Sequence, residues 1–186
     1  MTCRTSIQTC VLWRAATRNN PFPGKMNKEE RVSRAVGYFR QGFNCAQAVC
    51  AAFADLYGLT EEQALRVAAS FGGGIGRMHE TCGAACGMFL LAGLDCGSTR
   101  AEDREGKLHN YEVVQQLAAE FRRRNGSLVC AELLGMRPRS DGGEEPLKKR
   151  PCADTVAEGA RIFAEYFEAV HEIPSLHKPL QAIDLA

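Results

Sequence analysis

The chain has 186 residues, with 23 Lys and Arg against 22 Asp and Glu, four His and nine Cys. That length suits one domain, or a domain with a tail, and buries a real core without covalent staples. A net charge of +1 argues against a global nucleic-acid or membrane-surface role, and an odd number of widely spaced cysteines cannot all pair within one chain.

Residues 1–26 hold Arg4, Arg14, Arg18 and Lys25 and no acid, so the rest of the chain is net acidic. This segment reads as an N-terminal extension, disordered or outside the domain, either a transit-type targeting segment or an upstream start. It has no apolar run of signal-peptide length. Its Cys3 and Cys10 are set aside. The domain proper is expected over 27–172, followed by a C-terminal tail over 173–186.

From Asn27 the pattern is helical. Asn27-Lys28-Glu29-Glu30 reads as a capping box, and Val32, Ala35, Val36 and Phe39 share one helix face. Gly42 ends this helix. Asn44 caps the next, expected from Cys45 to about Tyr57. Thr60-Glu61-Glu62-Gln63 opens a third, to about Ser70. Gly72-Gly73-Gly74-Ile75-Gly76 then breaks the chain. Gly74-x-Gly76 resembles part of a dinucleotide fingerprint, but a helix precedes it and His79 stands where the third glycine belongs. A tight turn with positive φ and close backbone packing is expected instead.

Thr81 is expected to cap a short, central helix from Cys82 to about Leu94, apolar all round and too short to span a bilayer. A long helix is expected from a Thr99-led start to about Arg123, with Leu108, Tyr111, Val114, Leu117, Ala118 and Phe121 on its buried stripe. Ser127 caps a short helix to Leu134. Residues 137–151 form a charged Pro/Gly loop, and a last helix runs from about Cys152 to Val170. No stretch alternates with period two. The fold class is all-α: one compact helical domain of six or seven helices.

Cys45, Cys82, Cys130 and Cys152 each fall in the first turn of a different expected helix. A helix N-terminus offers free N–H groups and partial positive charge, and both favour a thiolate. The dipole is worth about 0.3–1 kcal/mol, and ~2 when partly buried, so alone it gives a partly ionised thiol. Arg77 and His79, Arg122 to Arg124, and Lys148 to Arg150 are candidate basic neighbours. Cys50 and Cys96 read as packing. Cys86, four residues after Cys82 on the same face, reads as a buried thiol or a fifth thiol at the site.

The four cysteines are separated by 37, 48 and 22 residues and no CxxC occurs. This excludes a thioredoxin-type pair and the usual zinc-ribbon and ferredoxin runs. A four-thiol site therefore needs convergence in space. His109, His171 and His177 suggest no local catalytic signature.

Asn44-Cys45-Ala46-Gln47-Ala48, Phe71-Gly72-Gly73-Gly74, Cys82-Gly83-Ala84-Ala85-Cys86-Gly87, Cys130 before Leu133-Leu134-Gly135, and Cys152 resemble the C_GCAxxG_C_C family of redox-active proteins. The resemblance covers about residues 28–170. It implies a small helical domain whose four family cysteines match Cys45, Cys82, Cys130 and Cys152. It also implies a relation to a domain of split-Soret cytochrome c that is associated with an iron–sulfur cluster. This chain has no CxxCH for covalent haem, and it adds Cys50, Cys86 and Cys96.

Several readings stay open. The first is an iron–sulfur cluster on the four cysteines for electron transfer, with His79 or Cys86 as further candidate ligands. The second is a metal-free thiol/disulfide redox protein, an oxidoreductase, with Cys82 attacking. Zinc with His79 replacing one thiolate, and a structural or interaction domain, complete the set. A cytoplasmic location, an unidentified redox partner and a homodimer are expected, with no membrane span and no nucleic acid.

Overall fold

In the computed structural model of the protein, which describes residues 26–137 and 151–171, three capping boxes open three helices. Asn27 and Glu30 cap α1 (Lys28–Arg40), Asn44 and Gln47 cap α2 (Cys45–Ala51), and Thr60 and Gln63 cap α3 (Glu61–Ala68). In each, the N-cap side chain accepts from the third helical N–H while the third side chain accepts from the cap N–H. Two orphan donors are satisfied at each start. The extension, the tail and most of the expected loop lie outside the described residues.

α2 is shorter than expected. The Arg31 guanidinium donates to the Ala52 carbonyl at 2.8 Å, drawing that acceptor out of the helix ladder. A 3-10 turn (Ala54–Tyr57) follows, closed by Gly58 at φ 67°. α3 likewise ends in a 3-10 turn (Ala69–Phe71).

The apolar helix α4 (Gly83–Cys96) starts one residue later than expected, with Cys82 in the cap position. Thr81 is instead held in an antiparallel bridge to Val129. The long helix α5 (Arg104–Asn125) starts later than Thr99, because the Asp103 carboxylate accepts from the Gly106 N–H at 2.9 Å. Its buried stripe is Val113, Leu117 and Phe121, while Leu108 and Tyr111 are exposed. α6 (Cys130–Leu133) is a single turn entered through Val129, and α7 (Cys152–His171) closes the fold.

α4 packs on α2, α5 and α7, and α1 packs on α7. Phe53, Met88, Leu91, Phe121 and Phe163 fill the centre. Phe53 meets Phe163 edge to face at 5.0 Å between centroids, a contact worth about 0.5–1.5 kcal/mol beyond its area. The described residues form seven α-helices and no strand. None of these helices is long and apolar enough to cross a membrane.

Candidate functional site: a buried cluster of thiols

Each of the four candidate cysteines stands at a helix start, Cys45, Cys130 and Cys152 as first residues and Cys82 in the cap position. Cys45 is the first residue of α2, fixed by Asn44, whose side chain accepts from Ala46 and Gln47 N–H at 3.0 Å each. The Cys82 N–H donates to the Leu128 carbonyl at 2.7 Å, and the Cys130 N–H to the Glu80 carbonyl at 2.6 Å. These two bonds tie residues 80–82 to residues 128–130. Cys152 opens α7, and its carbonyl accepts from the Thr155 hydroxyl at 2.9 Å. Ser127 does not cap α6 directly: its hydroxyl accepts from Val129 N–H and donates to Glu132.

Glycines let these starts converge. A Cβ on Gly83 would lie 3.2 Å from the Cys45 Cβ and 2.8 Å from the Phe71 carbonyl oxygen, and one on Gly87 2.8 Å from the Val49 Cβ. Only hydrogen at both positions lets α4 approach α2 this closely. Gly74, at φ +70°, does the same for the loop: a Cβ there would sit 2.6 Å from the Cys130 Cβ. The loop runs left-handed, as expected at Gly73, Gly74 and Gly76. Ile75, Arg77 and His79 also have positive φ, which the sequence does not announce. That conformation costs a side-chain-bearing residue about 1–2 kcal/mol. The His79 N–H to Gly73 carbonyl and Glu80 N–H to Gly74 carbonyl bonds, both 3.1 Å, hold it.

The result is one group of interacting sulfurs. Cys45 makes a side-chain hydrogen bond with Cys152 and feels Cys82 and Cys130 as well. Cys82 and Cys130 each feel Cys152. Cys86 lies at the edge, near Cys82 and Cys130, with its S–H toward the Thr81 carbonyl at 3.8 Å. His79 Nδ1 stands 3.9 Å from the Cys130 sulfur, at the long end for a hydrogen bond to sulfur. Cys50 lies in the core and Cys96 at the far end of α4, where Asn110 donates to its sulfur at 3.3 Å.

The expected ionisation is reversed. The hydrogen bond to Cys152, burial and the other sulfurs drive the Cys45 thiol well above the ordinary range. Burial and then Cys82 push both Cys86 and Cys130 up to about 11. Burial raises Cys82 too, although the Ala84 and Ala85 N–H groups and the Thr155 hydroxyl pull the other way. Those two N–H groups face the sulfur without closing a formal cap bond. Desolvation of a thiolate outweighs a helix dipole of about 0.3–2 kcal/mol, and α6 is too short to have much of one. Among the described residues no basic side chain lowers any of these thiols. Arg123 and Arg124 pair with Glu120, Arg124 also with Glu158 and Glu165, and Lys148 to Arg150 lie outside the described residues.

Residues 43–166 match the model of the family described as "Putative redox-active protein (C_GCAxxG_C_C)". The chain belongs to the C_GCAxxG_C_C family. No curated protein and no solved structure matches it.

The matched span contains all four candidate cysteines and both glycines that seat α4 on α2. In this C_GCAxxG_C_C protein the small-residue motif is thus a packing device that brings Cys82 beside Cys45. Among the described residues no group of three or more His, Cys, Asp or Glu side chains closes on a single ion-sized point. One tetrahedral ion, at about 2.3 Å from each sulfur, needs such a point. A cluster of several irons spaces its thiolates more widely. A donor set of four thiols with no carboxylate is compatible in kind with zinc or with an iron–sulfur cluster.

Thr155 is the functional-site residue that sequence reasoning missed. Its signal was its place three residues after Cys152, where a threonine hydroxyl reaches the carbonyl one turn back.

Proposed function

We propose that this redox-active protein holds an iron–sulfur cluster on Cys45, Cys82, Cys130 and Cys152 and uses it to transfer electrons. The observation that supports this reading is the nearness of the buried Cys45, Cys82 and Cys130 sulfurs to one another and to the half-buried Cys152. When bound, the cluster supplies a group that takes up and returns single electrons.

The chain's own residues do the rest. Neutral thiols in an apolar setting are poor nucleophiles, and a bound cation ionises them outright. Thiols driven upward by burial therefore support a metal-assisted site over a free thiolate. The Ala84 and Ala85 N–H groups face the Cys82 sulfur and help hold negative charge there. The start of α7, a helix of 20 residues, offers its dipole to Cys152. Burial of Cys45, Cys82 and Cys130 keeps water from the sulfurs. Thiols of this kind suit a reducing compartment such as the cytoplasm.

A metal-free reading is favoured by one observation, the Cys45–Cys152 contact. Those two thiols would lose two protons and two electrons to an oxidant such as a peroxide and join as a disulfide.

Anaerobic purification with iron and sulfide distinguishes the two. The cluster reading expects brown protein that absorbs in the visible, with colour lost when Cys45, Cys82, Cys130 or Cys152 is replaced by Ser and kept in Cys96→Ser. Colourless protein without bound iron overturns it. Mild oxidation of that colourless protein then tests the second reading, which an unchanged thiol count removes.

A further inference from the structure

The run from Gly73 to Glu80 carries unusual backbone strain. Gly73, Gly74, Ile75, Gly76, Arg77 and His79 all have φ between 58° and 70°, the range of a left-handed helical turn. That conformation brings a β carbon against the next carbonyl oxygen, and it suits a β-branched residue such as Ile75 worst. Hydrogen bonds inside the turn hold it, Arg77 N–H to the Gly72 carbonyl at 3.2 Å and Met78 N–H to the Ile75 carbonyl at 3.1 Å among them.

Little packing offsets the strain. No side chain from Ile75 to Thr81 is buried, and Met78 is 63% exposed. The Glu80–Arg137 ion pair, at 3.8 Å, is exposed on both sides, and such pairs contribute little. Yet the run lies over a buried thiol. Gly74 rests on the Cys130 β carbon. The Glu80 carbonyl accepts from Cys130 N–H at 2.6 Å, and the His79 carbonyl from Ala131 N–H at 3.0 Å. Segments with few buried apolar contacts open at the low end of a protein's free-energy scale, and strain released on opening lowers that end further. Cys50 is the contrast. It is fully buried on α2, which packs on α1, α3, α4 and α7, so only global unfolding uncovers it.

We propose that residues 73–80 form a strained strap that opens locally and admits small reagents to Cys130 while the rest of the fold stays intact. The strap does not depend on whether the thiols hold a cluster or form a disulfide, because either chemistry needs a way to a buried sulfur.

Two measurements on the full-length chain test this. In reduced, metal-free protein, alkylation by iodoacetamide is followed cysteine by cysteine at low urea concentrations. In protein as purified, amide exchange is followed at Cys130 and Ala131. Local opening makes both rates nearly independent of urea, whereas alkylation of Cys50 should rise steeply with it. Cys130 sharing the urea dependence of Cys50 overturns the proposal, whatever any variant does. The strain is tested by Arg77→Gly, at an exposed position where little packing is lost. It should slow both Cys130 events about two- to fivefold, and Arg77→Val should speed them. Rates unchanged or faster in R77G overturn the role of strain and with it the proposal.

Discussion

Gly83 lies against Cys45: a Cβ on the glycine would come within 3.2 Å of the cysteine Cβ and 2.8 Å of the Phe71 carbonyl oxygen. The second of these is backbone and does not yield by rotating. Gly83→Ala is expected to push α4 away from α2, separate Cys82 from Cys45, and destabilise the fold by about 1–3 kcal/mol through overpacking. Gly93 has open space at its Cβ position, so Gly93→Ala is the control and should hold or raise stability. Urea midpoints check the pair; equal midpoints would mean the helices do not meet as closely as described.

The metal-free protein should lose stability in alkali, with a sign fixed by the thiols. Burial and Cys82 hold Cys86 and Cys130 at about 11 in the fold, against ~8.5 in an unfolded chain. Below pH ~8 both states keep these protons and the thiols add no slope. Between ~8.5 and ~11 the unfolded chain binds fewer protons than the folded one, so stability falls as pH rises. Urea midpoints of reduced, metal-free protein from pH 7 to 10 should be flat first and then decline. Cys130→Ser should make the decline shallower.

Much of this was legible in sequence because it is local. Three capping boxes use only four consecutive residues each, and all three form. The starts of α2, α6 and α7 put Cys45, Cys130 and Cys152 at the first helical residue, close to where spacing placed them. What failed depends on competition or on depth. Thr99 loses to Asp103 because only the latter's carboxylate is seated on Gly106 N–H. The α5 stripe begins at Val113, whereas Leu108 and Tyr111 are exposed. The thiol ionisation was misjudged because a helix start is visible in sequence whereas the degree of desolvation around Cys82 and Cys45 is not.

Arg31 offers a test of the scaffold behind Cys45. It is 4% exposed, paired with Asp55 through both guanidinium nitrogens, bonded to the Ala52 carbonyl, and set 5.4 Å over the Phe53 ring. Asp55→Ala leaves that cation buried with its carbonyl alone. Breaking such a pair costs about 3–5 kcal/mol, and the lower end is expected because the Ala52 bond survives. Arg31→Met with Asp55→Ala should recover a good part of the loss. A double-mutant cycle on urea midpoints measures this, and a double variant no better than D55A would refute a desolvation origin.

Arg77 carries the opposite expectation. It is exposed, at φ 65° in the left-handed run between Gly73 and His79. Its side chain contributes little burial to offset a conformation that costs about 1–2 kcal/mol. Arg77→Gly removes that strain, though it widens the unfolded ensemble by roughly 0.5–1 kcal/mol. The net expectation is a gain of a few tenths to about 1 kcal/mol. Arg77→Val should do the reverse and lose stability, since a β-branched residue fits this region worst. The loop hydrogen bonds place residues 79 and 80 on Cys130 and Ala131, so the valine variant should also weaken the thiol site. Thermal melts give the stability order glycine, arginine, valine. A valine variant as stable as the parent would show that the left-handed run imposes no strain.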